Sequence, residues 1–177
     1  MRSMTYAGIG SRSTPEPVLA LMQRCATRLE VLGYTLRSGG ANGADSSFEA
    51  GCTRKEIYLP WPGFNGRQSE FQAVCDKALT LAATIHPRWD RLGRPARNLM
   101  GRNCYQVLGR DLSNPVDFVL CWTPDGVEDE QSRTQATGGT GQAIALASRH
   151  GIPVFNLARG DALVRLRDFL EIEMAPQ

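Results

Sequence analysis

The stretch Thr137-Gly138-Gly139-Thr140-Gly141-Gln142 comes after a strand-like run and opens a helix-like one. Two other Gly-rich turns, GIGSR at 8–12 and SGGANGAD at 38–45, each follow a short apolar segment. In a parallel sheet the carboxyl ends of the strands meet at one edge, and ligands bind there. The three turns therefore predict a parallel α/β fold with one shared binding edge.

Apolar runs alternate with amphipathic, helix-like patterns along the chain, as is typical of α/β proteins. The run VDFVLCW at 116–122 is almost wholly apolar, which favours a central strand buried on both faces. Strands are predicted at 6–9, 34–37, 56–59, 116–122 and 152–156, and helices at about 18–32, 45–50, 71–82, 96–112, 141–147 and 161–172. We expect a Rossmann-like α/β fold, with a mostly parallel sheet and helices on both faces, in a single domain over residues 1–177.

The composition is that of an ordinary globular protein and excludes several classes. A net charge of +2 gives no general attraction to polyanions, and the sequence has no run of about 18 apolar residues that could span a membrane. The N-terminal segment lacks the apolar core of a signal peptide. Five cysteines without a Cys-x-x-Cys pair, and only two histidines, favour buried free thiols over disulfides or a metal site. We expect a cytoplasmic protein with no metal and no cofactor.

The 137–142 turn has the composition of a phosphate-binding site. Glycines let the backbone approach an anion closely, and the start of a helix offers unpaired N–H groups and a partial positive charge. The alternative is a tight turn that needs glycine only for its backbone angles. Neither the Gly-x-Gly-x-x-Gly dinucleotide fingerprint nor the P-loop string is present, so neither of those two classes is indicated.

The order of these motifs resembles the SLOG superfamily. GIGSR, SGGANGAD, the pair Arg102-Asn103 on a predicted helix and GGTG at 138–141 follow one another as in that group, over nearly the whole chain. The superfamily includes the LOG-type nucleotide phosphoribohydrolases and the Rossmann-like domain of the DNA-processing protein A family. The resemblance implies a sheet that binds a nucleotide or nucleotide-derived ligand, often in a homodimer or higher homo-oligomer.

The resemblance also implies a set of ligand-binding residues, carried over by position. The helix arginine is either Arg97, near Met100, or Arg102, next to Asn103. From the turns and strand ends we add Gly8, Thr137 and Asn156, although Asn156 is equally suited to capping the following segment. The predicted site residues are Gly8, Gly10, Ser11, Arg12, Ser38, Gly39, Gly40, Asp45, Arg97, Arg102, Asn103, Thr137, Gly138, Gly139, Thr140, Gly141 and Asn156.

One departure from the resemblance concerns catalysis. The phosphoribohydrolases carry a glutamate three or four residues after the last glycine of the turn, where this chain has Ile144 and Ala145. Cleavage of an N-glycosidic bond needs a carboxylate near the ribose, so a replacement would have to come from elsewhere. The candidates are Asp45, which could instead cap a helix, Glu49, and the acidic run Glu128, Asp129 and Glu130, which could instead be a solvated loop.

An arginine-rich segment at 86–103 offers a further partner. Its guanidinium groups could bind phosphates and Trp89 could stack a base, as in single-stranded nucleic-acid sites. A mobile lid over a small nucleotide, or a solvated loop, fits the same residues. Trp61 and Trp122 could likewise stack a base or lie in the core. The arginines are Arg88, Arg91, Arg94, Arg97 and Arg102.

Three hypotheses follow. The preferred one is a domain that binds a nucleoside phosphate or a nucleotide-derived signal molecule, without chemistry. The first alternative is a nucleotide N-glycosidic hydrolase that uses a carboxylate outside the usual position. The second is a mediator of recombination that binds single-stranded DNA. The missing glutamate counts against the hydrolase, and the low net charge counts against the DNA-binding protein.

Overall fold

Five short strands, all parallel, form the sheet in the part of the chain that the computed structural model describes, residues 3–173. They lie in the order β3-β2-β1-β4-β5. The predicted Rossmann-like α/β architecture is confirmed. The strands are β1 (Thr5–Gly8), β2 (Thr35–Ser38), β3 (Lys55–Ile57), β4 (Phe118–Cys121) and β5 (Val154–Asn156).

The helices divide between the two faces of the sheet, because successive strand residues point to opposite sides. In β1, Tyr6 packs with α1, α2 and α6, whereas Ala7 packs with α3, α4 and α5; Phe118 and Val119 divide in the same way in β4. Each face therefore carries its own apolar core. The helices are α1 (Glu16–Val31), α2 (Ala44–Ala50), α3 (Asp76–Ala83), α4 (Arg94–Leu108), α5 (Thr140–Arg149) and α6 (Ala162–Glu173).

The strand order reverses at the centre of the sheet. The chain builds outward from β1 to β2 and β3, then crosses back to place β4 and β5 on the other side of β1. The loops that leave β1 and β4 therefore diverge at their carboxyl ends and open a crevice between them. Two of the three Gly-rich turns, those after β1 and before α5, lie at this point.

Two helix boundaries differ from the sequence-based expectation. Phe71 is extended rather than helical: its carbonyl accepts a hydrogen bond from the Leu59 N–H at 2.8 Å, and its ring packs on Tyr58 with centroids 4.8 Å apart. The predicted 96–112 helix is instead α4, which ends at Leu108 because Gly109 takes a left-handed φ of 74°.

The five cysteines are free, but they are not all buried as predicted. Cys52, Cys104 and Cys121 are buried, Cys25 is partly buried and Cys75 is exposed. The error at Cys75 has the same origin as the misplaced helix start, because Cys75 precedes α3 instead of lying on an apolar helix face. No helix within residues 3–173 has the length and apolar character needed to cross a membrane.

Candidate functional site

A cleft of about 580 Å³ lies at the carboxyl edge of the sheet. The three Gly-rich turns, α4 and the loop after β3 form its walls. It brings together ten of the predicted residues: Gly10, Ser11, Arg12, Asp45, Arg102, Asn103, Thr137, Gly138, Gly139 and Thr140.

The first turn continues the pairing of β1 with β4 into the cleft. The N–H of Ser11 donates to the Trp122 carbonyl at 3.1 Å. A Cβ on Gly10 would lie 2.8 Å from the Cβ of Ala44, so only glycine fits at this position beside the start of α2. The Ser11 and Ser13 hydroxyls are 2.8 Å apart, and Arg12 is exposed at the rim. This turn thus presents hydroxyls and one exposed cation to the cleft.

The glycines of the second turn, by contrast, allow close packing beneath the cleft. A side chain on Gly39 would collide with Arg102 and Gln106. Gly8, at the start of the first turn, has the same role, because a side chain there would collide with Leu36 and Phe48. The buried Ser38 hydroxyl donates to the Gly8 carbonyl at 2.6 Å. Gly8, Ser38, Gly39 and Gly40 therefore lie behind the cleft wall, and their predicted direct contact with a ligand is not supported by their positions.

The third turn presents its backbone to the cleft. Gly138 has φ 62° and ψ −153°, a conformation that suits glycine, and a Cβ there would meet no neighbour within 4 Å. The N–H groups of Gly141 and Gln142 donate to the carbonyls of Gly138 and Gly139. Among the described residues, none accepts a hydrogen bond from the N–H of Gly139 or Thr140. Two donors at the N-terminus of α5 therefore remain available to an anion.

The Thr137 hydroxyl does not serve the cleft. Thr137 is buried, and its hydroxyl donates to the Asp125 carboxylate and accepts from the Thr134 N–H at 2.9 Å. The Thr134 hydroxyl donates to the same carboxylate at 2.7 Å. Partial burial of Asp125 opposes ionisation, but these hydroxyl bonds outweigh it and hold the pKa of Asp125 below its ordinary value. Asp125 and Thr137 thus fix the loop that leads into Gly138.

Arg102 supplies a buried cation on the cleft wall. Its side chain donates to the carbonyls of Gly39 and Tyr58 and, through Nε, to Oδ1 of Asn103 at 3.1 Å. Burial lowers the pKa of Arg102 and the nearby Asp45 raises it. The group nevertheless stays protonated, because an arginine does not lose its proton in a protein.

Asp45 is a buried carboxyl group on the same wall. Its Oδ2 accepts a hydrogen bond from the Ala41 N–H at 3.2 Å, which closes the second turn. Burial raises the pKa of Asp45 to about 6, against the opposing effect of Arg102. Asp45 lies in the first turn of α2 but does not cap that helix, whose N-cap residue is Gly43 and has no side-chain hydrogen bond. The carboxyl group lines the cleft instead. Near neutral pH the carboxylate is charged and lies near the Arg102 guanidinium on the same wall.

Arg97 and Asn156, both predicted to bind the ligand, also lie outside the cleft. Arg97 packs over the Trp89 ring, 5.2 Å from its centroid, and donates to the Trp89 carbonyl at 3.2 Å. Asn156 is buried: its amide donates to the Thr123 hydroxyl at 2.6 Å and to the Val127 carbonyl at 2.9 Å. Asn156 therefore ties the end of β5 to the loop after β4.

Four of the five candidate carboxylates are held away from the cleft. Glu49 pairs with Arg67 and with Lys55. The acidic run is likewise engaged in structural bonds rather than in the site: Glu128 pairs with Arg165, Asp129 accepts from Ser132, and Glu130 pairs with Arg149. Gly141 also lies off the cleft, packed against the side chains of Arg133 and Thr137.

Sequence reasoning missed part of the wall. Gln106 lies one helical turn after Arg102 and lines the cleft with it. The i, i+4 spacing of these two polar residues is a sequence signal that they share one face of α4. Leu99, an apolar residue of α4, also lines the cleft. Phe64 and Asn65 come from an irregular loop whose position no local pattern predicts.

No protein-family model matches the chain, and no curated protein matches it. A structural likeness exists to DNA processing protein A from Helicobacter pylori, described for its unique single-stranded DNA binding mode. The two share 16% sequence identity with a TM-score of 0.50, over 95% of this chain and 73% of the other. At that identity the likeness establishes the fold alone.

Proposed function

We propose that the cleft binds a nucleoside phosphate or a nucleotide-derived signal molecule, with its phosphate at the N-terminus of α5. The observation that carries the proposal is the link made by Asn103. Its amide donates to the Gly139 carbonyl at 3.1 Å while its oxygen holds Arg102. The buried cation and the uncommitted backbone donors are thereby held in one wall, which is the arrangement that an anion requires.

The size and lining of the cleft support a small ligand. Its volume of about 580 Å³ falls in the range of roughly 300–1,000 Å³ that small-molecule sites have. Asp45 can accept hydrogen bonds from ribose hydroxyls, and Arg12 at the rim adds an exposed cation.

Hydrolysis of the bound nucleotide would depend on Asp45. Ile144 and Ala145, where the resemblance places a glutamate, are fully buried in the core. Among the predicted carboxylates within residues 3–173, Asp45 alone lines the cleft. An N-glycosidic hydrolase that uses Asp45 to stabilise the developing positive charge on the ribose is thus an alternative to simple binding.

Single-stranded DNA binding is the second candidate, favoured by the structural likeness to the Helicobacter pylori protein. Arg88, Arg91 and Arg94 are exposed near the start of α4, so phosphates of a longer strand could contact them. Trp89 is less suited to stacking than the sequence suggested, because Arg97 already covers its ring. A homo-oligomer, implied by the resemblance, stays a prediction.

Thermal unfolding with a panel of nucleosides, mono- to triphosphates, cyclic and ADP-ribose-type nucleotides and a short oligonucleotide separates these functions. A ligand at about 100 times its dissociation constant adds roughly 2.7 kcal/mol of stability. We expect a nucleotide to raise the melting temperature, and chromatography to recover that nucleotide intact. Recovery of free base would indicate the hydrolase. A shift confined to the oligonucleotide, with steep salt dependence, would contradict the preferred function in favour of DNA binding.

A further inference from the structure

The loop after β3 forms a wall of the cleft that the Gly-rich turns do not account for. It contains a 3-10 turn, Phe64–Gly66, in which Asn65 and Gly66 have positive φ values of 52° and 69°, as does Gly63 with 77°. Positive φ costs a non-glycine residue energy and persists where surrounding contacts impose it. The backbone of this segment, residues 61–67, is therefore held in a specific shape.

Three contacts fasten the 61–67 segment against the site. The amide of Asn65 donates to the Gly40 carbonyl at 3.2 Å, which joins the segment to the second turn. The guanidinium of Arg67 pairs with the buried carboxylate of Glu49. The guanidinium of Arg102 lies 5.7 Å from the centroid of the Phe64 ring. The segment thus packs on the same cation that marks the anion-binding wall.

The effect of this packing is to place apolar surface in an otherwise polar cleft. Phe64 is partly exposed there, and Leu99 and Met100 of α4 are partly exposed in the same cleft. The methyl carbon of Met100 would lie 3.5 Å from a Cβ on Gly139, so this apolar surface extends up to the anion-binding turn. Trp61 braces the Phe64 ring edge-on, with centroids 5.2 Å apart.

The cleft has an anion-binding wall and an apolar surface. A ligand that contacts both must carry an anionic group and an apolar, planar group. A sugar phosphate would leave the apolar surface in contact with water. A purely apolar ligand would leave Arg102 and the α5 N–H groups without an anion. A nucleobase joined through ribose to phosphate satisfies both, because every base has a face that stacks on apolar and aromatic side chains.

We infer that Phe64, Leu99 and Met100 form a base-binding subsite, and that Phe64 decides whether the cleft prefers a nucleotide over the corresponding sugar phosphate. The inference rests on the proposed function, since it assumes that the phosphate lies at the N-terminus of α5. It assigns recognition of the base to a loop that lies outside all three Gly-rich turns.

Calorimetric titration of the full chain with two kinds of probe tests the inference. The probes are the tightest binder among AMP, GMP, CMP and UMP, and ribose 5-phosphate, which carries the same sugar and phosphate without a base. We expect the wild type to prefer the nucleotide, and Phe64→Ala to weaken nucleotide binding about tenfold or more while ribose 5-phosphate binding changes less than about twofold. Phe64→Tyr should keep most of the preference.

Val31→Ala is the matched control, because Val31 is an exposed apolar residue on α1 and outside the cleft. It should leave both affinities unchanged. Unchanged nucleotide affinity in Phe64→Ala, or an equal loss for both probes, would overturn the base-binding subsite and leave the phosphate site in place. A wild type that binds neither probe would overturn the proposed function and this inference together. Retained affinity for ribose 5-phosphate also shows that the variant is folded.

Discussion

The side-chain amide of Asn103 donates to the carbonyl of Gly139 at 3.1 Å, while its oxygen accepts from Nε of Arg102 at the same distance. One short side chain thus fixes where α4 stands relative to the N-terminus of α5. An anion between the two would meet donors whose positions are already set, so little ordering would oppose its binding.

Asn103→Leu removes both hydrogen bonds with little change in volume. We expect a loss of about 1–3 kcal/mol in the free energy of unfolding, because Nε of Arg102 loses its acceptor and the Gly139 carbonyl keeps only the Gln142 N–H of its two donors. Nucleotide affinity should fall about tenfold. Urea unfolding and calorimetry measure the two effects. A loss of stability with full nucleotide affinity would mean that Asn103 is structural only.

Gly139→Val and Gly138→Ala should act differently although the residues are adjacent. Gly139 has φ −64° and space for a side chain, so Gly139→Val should fold with little loss of stability and yet abolish nucleotide binding by filling the cleft. Gly138→Ala forces a positive φ on alanine and should cost about 1–3 kcal/mol. Nucleotide binding retained in Gly139→Val would rule out this turn as the phosphate site.

Arg102→Ala should both destabilise the protein and weaken phosphate binding. It leaves two backbone carbonyls and the buried Asp45 without their cation, which should cost on the order of 3 kcal/mol. The affinity of the variant for AMP should fall more than its affinity for adenosine, because adenosine carries no phosphate. The control is Arg24→Ala, at an exposed position on α1 outside the cleft. An equal loss for AMP and adenosine would contradict a phosphate-binding role.

Much of this fold is predictable from the sequence, because alternating apolar patterns and Gly-rich turns are local signals. The β4 strand is an example: an almost unbroken apolar run predicted a central position, and it pairs with β1 and β5 on either side. The errors arose where tertiary contacts override local spacing. Phe71 has helical spacing to Cys75 and Ala78, yet it is extended because it packs on Tyr58.

The site was less predictable, because a glycine that faces a ligand and one that faces a side chain look alike in sequence. Gly138 opens onto the cleft, whereas Gly39 makes room for Arg102 from a distant helix. Thr137 is a predicted ligand-binding residue, but its hydroxyl donates to Asp125, twelve residues earlier in the chain. Such distinctions depend on contacts between residues far apart in the chain.

The carboxyl group of Asp45 makes stability depend on pH. Its folded pKa of about 6 lies above the ordinary value of 3.8, so the folded state holds the proton more tightly. This contribution to stability is fully present below about pH 4 and is lost as the pH rises through 6. Asp45→Asn should gain stability relative to the wild type between pH 4 and 6. Chemical unfolding of both proteins across this pH range measures the difference. If the free energies of unfolding of the wild type and Asp45→Asn change with pH in the same way, the raised pKa of Asp45 is contradicted.

Thr137→Val should loosen the loop before Gly138. It removes the hydroxyl that donates to Asp125 and accepts from the Thr134 N–H, and leaves the carboxylate with one fewer partner. We expect a loss of about 1–2 kcal/mol and weaker nucleotide binding, with faster amide exchange at residues 135–139 as the diagnostic measurement. Thr27→Val is the control, because it removes an exposed hydroxyl on α1 that donates to the Gln23 and Gly51 carbonyls, away from residues 135–139. Unchanged amide exchange at residues 135–139 would contradict a positioning role for Thr137.

The central place of β1 also has a consequence for the newly made chain. The N–H of Thr5 donates to the carboxylate of Asp117 at 2.9 Å, across 112 residues. At about 5–20 residues per second, a ribosome needs roughly ten seconds to deliver that partner after β1 has emerged. During this interval one edge of β1 has no strand beside it, and Tyr6 lacks the Phe118 ring on which it stacks. The apolar side chain of Tyr6 and one edge of β1 therefore stay uncovered for that interval, and the cleft assembles only after synthesis has passed α5.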